Sequence, residues 1–266
     1  MITMTSLEMF PSQLRLQEEV PSIFATQPEE GVSEKYTFIP TTRIVGLLGE
    51  NGWEISQARQ VGSRKSDPRY AKHLVRFRPR GDVMTRDSSK VNEVFPELAL
   101  YNSHNRQAGY RLLGGLYVKI CSNGMCLSEK SFESLYMRHQ DYTDDQVLDF
   151  SQKFVDRSNE IMNALQSWRD KDLSFEEKQR FAREASRLRW ESPSQSLSDV
   201  LLNTHRPLYA GKDDLWSVFN VVQENIIRGG FKNPDTNRVV REITELNRDR
   251  DVNQDLWDLG EKYLLN

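Results

Sequence analysis

The fold is decided by the stretch Tyr101-Asn-Ser-His-Asn-Arg-Gln-Ala-Gly-Tyr-Arg-Leu-Leu-Gly-Gly-Leu-Tyr-Val-Lys-Ile-Cys-Ser-Asn-Gly-Met-Cys-Leu127. Its Asn123-Gly124 pair is the strongest short hairpin signal in a sequence, because both residues tolerate a positive φ angle. We therefore expect the flanks 116–121 and 125–127 to pair as antiparallel strands. Glycines inside the stretch also indicate close backbone packing or a bulge. They are Gly109, Gly114 and Gly115.

Composition limits the class of protein. The chain has 266 residues, of which 28% are charged and 37% are apolar, and its mean hydropathy is −0.67. These values predict a soluble globular protein with one large domain or two packed domains. No apolar run approaches the roughly 20 residues of a membrane span, and no secretion signal is recognisable at the N-terminus. Two cysteines are too few for a disulfide framework, so we expect a cytoplasmic protein that does not bind membranes.

The pattern of apolar residues divides the chain into three predicted segments. Residues 1–32 are polar and interrupted by prolines, and they predict an N-terminal arm. Residues 33–140 alternate apolar and polar side chains, which predicts an α+β sheet domain with one short helix at 43–48. Residues 141–266 have helical periodicity and predict a helical region. The predicted fold class is therefore α+β, with a mostly antiparallel N-terminal sheet and a short helix packed against a C-terminal helical half.

Individual elements follow from the same periodicity. Strands are predicted at 36–39, 53–58 and 73–78, where apolar side chains alternate or form a short run. One long amphipathic helix is predicted from Thr143 to Trp168, and a second helix follows the Ser174-Phe-Glu-Glu177 capping signal.

The stretch from Arg59 to Arg86, which contains the predicted strand at 73–78, is rich in cations. If the strand alternates, Arg76, Arg78 and Arg80 share one face. Such a face fits a phosphate backbone, and Tyr70 or His73 could stack on a base. A solvated sheet face paired with acids elsewhere explains the same pattern, so both interpretations stay open. The residues predicted to bind nucleic acid are Arg59, Arg64, Lys65, Arg69, Lys72, Arg76, Arg78 and Arg80.

Four polar residues form a second candidate site, which either binds a polar ligand or stabilises the structure. Asn102 and His104 lie in the central stretch, and Asn220 and Glu224 share a helix face at i, i+4 spacing. Catalysis by the neighbouring Ser103 is not indicated, because adjacent residues of a strand point to opposite faces. No nucleophile elbow, phosphate loop or metalloprotease motif is present in the sequence. We therefore assign no catalytic residue and expect a binding protein rather than an enzyme.

The two cysteines flank the predicted turn. Cys121 and Cys126 would face each other across the hairpin. Their Cys-x4-Cys spacing is a poor match to a metal knuckle, even with His104 or His139 as a further ligand. Core packing of two small side chains is the favoured interpretation, and a reducing cytosol disfavours a disulfide. The sequence predicts neither a metal nor a cofactor.

Several short segments together resemble the prokaryotic and phage family called domain of unknown function 932. The family usually continues the Asn-Ser-His segment with Asp-Gly and small residues, whereas Asn105-Arg-Gln107 follows here. A ligand held there by an acid in relatives would lack that acid in this chain. The resemblance is carried by Pro21-Ser-Ile-Phe24, residues 36–41, Gly52-Trp53, Asn102-Ser-His104, Cys121-Ser-Asn-Gly124, Arg138-His139, Val218-Phe-Asn-Val-Val-Gln-Glu-Asn225, Gly229-Gly230 and Asn253-Gln-Asp-Leu-Trp257.

The resemblance implies a phage, plasmid or prophage origin in a bacterial host but supplies no activity. The favoured hypothesis is a mobile-element accessory that binds nucleic acid, with single-stranded DNA in replication, recombination or DNA entry as the leading ligand. An inhibitor that binds a host defence or DNA-processing protein is the alternative, and the net charge of −3 suits it. A nucleic-acid-modifying enzyme is the third hypothesis and requires a cluster such as His104, His139 and Glu224. Self-association is compatible with all three.

Overall fold

The structure is a computed structural model. It describes residues 13–31, 38–62, 67–80, 94–105, 110–118, 124–126, 134–137 and 142–265. Contacts divide the chain into two compact units, Met1–Asp156 and Arg157–Asn266. The first unit contains a sheet and the second is helical, which confirms the α+β class. None of the described helices combines the length and apolar character needed to cross a bilayer. The predicted boundaries at 32 and 140 stay predictions.

An antiparallel sheet forms the centre of the first unit. The strand order is β1-β2-β3-β4-β5, and β6 pairs with the first half of β4. Apolar side chains meet in register across the central strands, as Phe77 does with Leu98. The described strands are β1 (Trp53–Gln60), β2 (His73–Pro79), β3 (Val94–Asn102), β4 (Tyr110–Val118), β5 (Gly124–Cys126) and β6 (Ser134–Met137).

The hairpin of the central stretch forms, but not at the predicted turn. β5 pairs antiparallel with β4, and Gly124 lies opposite Tyr117. A two-residue turn at Asn123-Gly124 is therefore wrong, because Gly124 is already a paired strand residue. The same register places Cys126 opposite Gly115. Cys121, the predicted cross-strand partner of Cys126, lies outside the described residues. A turn dipeptide is a local signal, whereas register depends on the whole strand.

The described part of the first unit also has the α-helices α1 (Gln13–Glu19), α2 (Thr41–Glu50) and α3 (Asp144–Asp156). α2 confirms the predicted short helix. The predicted close packing is confirmed at Gly114, where a Cβ atom would overlap the Phe154 ring of α3. Residues 38–39 are irregular rather than a strand, and the rest of the strand predicted at 36–39 lies outside the described residues.

The second unit contains α4 (Ser158–Asp170), α5 (Phe175–Ser186), α6 (Gln195–Val200), α7 (Leu215–Arg228) and α8 (Leu246–Leu265). Aromatic rings form its core, where Trp168 stacks on Trp257 with 4.4 Å between ring centroids. The capping box predicted at Ser174 is confirmed, because Ser174 and Glu177 exchange both backbone bonds.

The single long helix predicted over 143–168 is wrong. The structure has two helices, α3 and α4, interrupted at Arg157. The interruption coincides with the boundary between the two compact units, at Asp156 and Arg157. The apolar periodicity continues across the break, which is why the pattern alone indicated one helix.

Candidate nucleic-acid interface

The two central arginines of the basic stretch are buried. Arg76 and Arg78 are 5% and 7% exposed, and both contact Glu97 of β3, which is 1% exposed. Arg78 donates from Nε and Nη2 to Glu97 Oε1 at 3.1 and 2.8 Å. Arg76 Nη2 lies 2.8 Å from Glu97 Oε2, as an ion pair without hydrogen-bond alignment. The predicted solvent-facing row is therefore corrected: the strand alternates as expected, but these two guanidinium groups are not on the surface.

The other cations of the stretch differ in exposure. Arg80 is exposed and donates to the carbonyl of Trp53 at 3.4 Å. Arg69 is exposed and forms an ion pair with Asp67 at 2.6 Å. Arg59 and Lys72 are half-buried. Arg64 and Lys65 lie outside the described residues. The eight predicted cations thus do not form one exposed surface, and their role in binding stays a prediction.

Asn102 and His104 belong to a buried polar cluster of the first unit, together with Thr41 of α2 and His73 of β2. Asn102 Nδ2 donates to Thr41 Oγ1 at 3.0 Å, and Thr41 Oγ1 lies 2.8 Å from His73 Nε2. His73 Nδ1 lies 3.0 Å from the carbonyl of Ala71. Since a carbonyl can only accept, Nδ1 carries the proton of neutral His73, and Nε2 accepts from Thr41.

Burial controls the protonation of this cluster. Removal from water lowers the pKa of His73 to about 4, although the bond to the Ala71 carbonyl acts in the opposite direction. His104 packs beside it, with ring centroids 5.3 Å apart, and both side chains are fully buried. A hydrogen-bonded cluster, sealed from solvent and with His73 neutral at pH 7, joins α2 to the sheet. This geometry fits the structural role that the sequence left open for Asn102 and His104.

Asn220 and Glu224 lie in the second unit, on α7. Asn220 Nδ2 donates to the carbonyl of Trp216 at 2.7 Å, one turn earlier on the helix. Glu224 accepts from Arg206 at 2.7 to 2.9 Å, which makes a bidentate, half-buried ion pair. The predicted polar set is therefore split between the units, two residues in each. In the described part of the chain, no group of three or more His, Cys, Asp or Glu side chains could hold a metal ion. His139 lies outside it.

A cationic cluster that the sequence did not reveal lies in the second unit. Arg189, just after α5, donates from its guanidinium group to the carbonyls of Ile226 and Arg241. Arg248 of α8 donates to the carbonyl of Arg189 at 3.4 Å. Arg187 lies two residues before Arg189. The side chains of Arg187, Arg241 and Arg248 are exposed. We call Arg187, Arg189, Arg241 and Arg248 the arginine cluster.

Like charges are close together in the arginine cluster. Burial, and secondly the nearby charge of Arg248, lower the pKa of Arg189 to about 10. Among the described residues, Arg187, Arg241 and Arg248 form no ion pair with a carboxylate. Glu245 is near in sequence, but its carboxylate accepts from the backbone N–H of Asn247 and Arg248 and so caps α8. The exposed acids nearest in sequence are Glu191 and Glu242.

An aromatic ring and a short antiparallel loop border the arginine cluster. The Trp190 ring is half-buried, with its centroid 5.2 Å from the Arg189 guanidinium carbon. Gly230 and Val240 bond across the loop, and a bridge joins Lys232 to Val239. The two arginines and the tryptophan of Arg187-Leu-Arg-Trp190 are recognisable in the sequence as a possible anion-binding segment. The sequence could not show that Arg241 and Arg248, more than fifty positions later, contact this segment.

Comparisons with known proteins identify relatives of the chain. A family model described as domain of unknown function (DUF932) matches residues 29–257. The UPF0380 protein YafZ of Escherichia coli (strain K12) is 29% identical over 252 residues, covering 92% of this chain and 88% of that protein. The UPF0380 protein YfjQ of the same organism is 29% identical over 254 residues, with the same coverage. No solved structure matches the chain. Because the family model covers most of its length, the protein belongs to the domain of unknown function 932 family.

Proposed function

We propose that the protein binds nucleic acid and that the arginine cluster contacts the phosphate backbone. The observation that carries the proposal is that hydrogen bonds bring together Arg189, Arg241 and Arg248 from three separate parts of the second unit. Arg187 lies two residues before Arg189, and three of the four arginine side chains are exposed. Such a cluster is repulsive unless an anion lies against it. A polyanion supplies that charge at several points at once, and binding releases its condensed counterions.

Arginine is the residue type suited to this role. Its planar guanidinium group presents paired donors that match phosphate oxygens, and it is more weakly hydrated than an ammonium group. Arg189 uses its own donors to hold the backbone of Ile226 and Arg241. It therefore positions the cluster, while Arg187, Arg241 and Arg248 are the groups exposed to a ligand. The acidic balance of the whole chain limits the interaction to such a local surface.

The resemblance to a prokaryotic and phage family supports the biological context that we propose for this binding. We propose that the protein acts as an accessory of a phage or plasmid, on DNA that is replicated, recombined or entering the cell. An inhibitor of a host protein remains the competing proposal, and the experiment below separates the two.

Fluorescence anisotropy with labelled single-stranded and double-stranded DNA across a salt series tests the proposal. The test variant is the triple substitution Arg187→Gln, Arg241→Gln and Arg248→Gln. We expect weaker binding to single strands and a salt slope reduced by about 2, since each lost phosphate contact changes the slope by about 0.7.

Three other exposed arginines provide a matched control. Arg15, Arg43 and Arg157 each form an ion pair with a carboxylate, and their substitution by Gln changes the net charge equally. We expect the control to keep more of the affinity and the slope of the wild type. An equal effect of both triples would show that total charge, not the cluster, governs binding. Absence of binding at low salt would overturn the proposal and favour a host protein partner.

A further inference from the structure

A cavity of about 280 Å³ lies in the first unit, beside the end of α1. Its walls come from the segment that follows α1 and from the turn before β2. This volume is at the small end of ligand sites and fits one planar group rather than a whole nucleotide. The residues that line it are Gln17, Pro21, Phe24, Ala25, Thr26, Gln27, Arg69 and Tyr70.

We infer that this cavity binds an unpaired nucleobase. The inference rests on the proposed nucleic-acid function and adds to it the part of the ligand that distinguishes single strands from duplexes. A base in a duplex is stacked and paired, whereas a base in a single strand can turn outward into a protein cavity.

Flat surfaces suited to a base line the cavity. Phe24 and Tyr70 contribute aromatic rings, and stacking on such rings is sequence-tolerant because every base has a π-face. Arg69 lies over Tyr70, with its guanidinium carbon 5.6 Å from the ring centroid. Asp67 accepts from Nε and Nη2 of Arg69 at 2.6 to 3.1 Å. The guanidinium plane is thus held in place, with its charge balanced by a carboxylate.

Apart from Arg69, the polar groups of the cavity are uncharged. Gln17, Thr26 and Gln27 are exposed at its rim, and no hydrogen bond to another described residue involves their side chains. An amide offers one acceptor and two donors, which match the edge of a base such as adenine. Since the only ionised group in the lining, Arg69, is already paired, the chemistry favours a neutral planar ligand over a phosphate.

Both walls are anchored to the sheet, so the cavity does not have to be assembled by its ligand. Ser22, next to Pro21, donates from its backbone N and its Oγ to Gln60 Oε1 of β1, at 3.1 and 2.7 Å. The backbone of His104 bonds to both sides: its N donates to the Tyr70 carbonyl, and its carbonyl accepts from Glu29 N. A preformed site loses less conformational entropy on binding. The buried cluster around His104 therefore also supports the cavity.

Anisotropy titrations with the full chain test the inference. One oligonucleotide is used as a single strand and as a duplex, with the wild type and the double variant Gln17→Ala and Gln27→Ala. Gln152 and Gln166, exposed glutamines of α3 and α4, provide the control double variant. We expect the cavity variant to bind the single strand about tenfold more weakly, with unchanged duplex affinity, because about one hydrogen bond is lost per amide. The control should match the wild type.

Failure of this inference is distinguishable from failure of the proposed function. Equal single-strand affinity in all three proteins, or a parallel loss for strand and duplex, would overturn the base site while binding by the arginine cluster stands. If the wild type binds no DNA, quenching of 2-aminopurine riboside, a fluorescent nucleoside without phosphate, decides the matter. Quenching that saturates in the wild type and is lost in the cavity variant supports the site. Equal behaviour of the two proteins overturns it.

Discussion

The arginines of β2 and those of the arginine cluster differ in what surrounds them. Arg76 and Arg78 are almost fully buried and share the carboxylate of Glu97. Arg187, Arg241 and Arg248 are exposed, and the charge of Arg248 lies close enough to Arg189 to lower the pKa of that guanidinium group. The first group holds strands together, and we propose that the second binds an external anion. A high density of cations along a sequence therefore does not show whether the side chains form internal ion pairs or are exposed to a ligand.

Removal of the shared carboxylate should have the largest effect. Glu97→Gln keeps the size of the side chain but leaves the guanidinium groups of Arg76 and Arg78 buried without this counter-charge. Breaking a buried ion pair from one side costs about 3–5 kcal/mol. We expect a loss of this size in the free energy of unfolding, measured by urea denaturation with circular dichroism.

Glu50→Gln, an exposed glutamate at the end of α2, is the control for Glu97 and should change stability by less than about 0.5 kcal/mol. A loss below about 1 kcal/mol for Glu97→Gln, typical of an exposed pair, would show that solvent reaches the β2 arginines. The comparison between the two groups of arginines would then fail.

The second-largest effect is expected in how stability depends on pH. The stability of the first unit should depend on pH, whereas DNA binding by the arginine cluster should depend on salt. Because burial lowers the pKa of His73 to about 4, the unfolded chain takes up its proton first, near pH 6.5. Stability of the first unit should therefore be constant above that value and fall as the pH decreases towards 4. The difference amounts to about 2 kcal/mol at pH 5.

Urea denaturation at pH 7 and pH 5 measures this effect. His73→Asn should remove most of the pH dependence, whereas substitution of the exposed His205 by Asn should not. His104, the titratable neighbour of His73 in the cluster, is tested by the same series with His104→Asn. An unchanged slope in His73→Asn would assign the acid sensitivity to another group. DNA binding by the arginine cluster should instead depend on salt.

The features that the sequence predicted are local. The Ser174–Glu177 capping box and the short helix α2 depend on neighbours within one turn, and both formed as expected. Whether Arg78 is exposed depends on the neighbouring strand and segments that cover it. The alternation of apolar and polar residues along β2 does not contain this information. The break at Arg157 and the register of β5 likewise depend on tertiary context.

In the candidate sites, too, the sequence predicted what is local and missed what depends on tertiary contacts. Asn102 and His104 were identified as polar residues of one segment, but Thr41 and His73, which complete their cluster, come from other elements. The arginine cluster is assembled from residues about fifty positions apart, held together by backbone carbonyls that accept from Arg189 and Arg248. No periodicity or spacing encodes such contacts, because they form only after the helices have packed.

The smallest effect is expected at the exposed end of the basic stretch. Arg80 follows Arg78 by two residues, but its guanidinium group is exposed and lies 3.4 Å from its acceptor, the carbonyl of Trp53. A bond of this length contributes little, since hydrogen bonds weaken beyond about 3.2 Å. We expect Arg80→Gln to change the free energy of unfolding by less than about 0.5 kcal/mol.

Arg78→Gln is the matched partner of that substitution, because the same change is made two positions earlier. It removes both hydrogen bonds to Glu97 and should cost several times more than Arg80→Gln. If the two variants lose equal stability, burial does not determine how much each arginine of this stretch contributes to the free energy of unfolding. If Arg80→Gln instead lowers the salt slope of DNA binding by about 0.7, the end of the sheet contacts phosphate as well. The division between buried structural arginines and exposed binding arginines then falls within β2 and its flank, between positions 78 and 80.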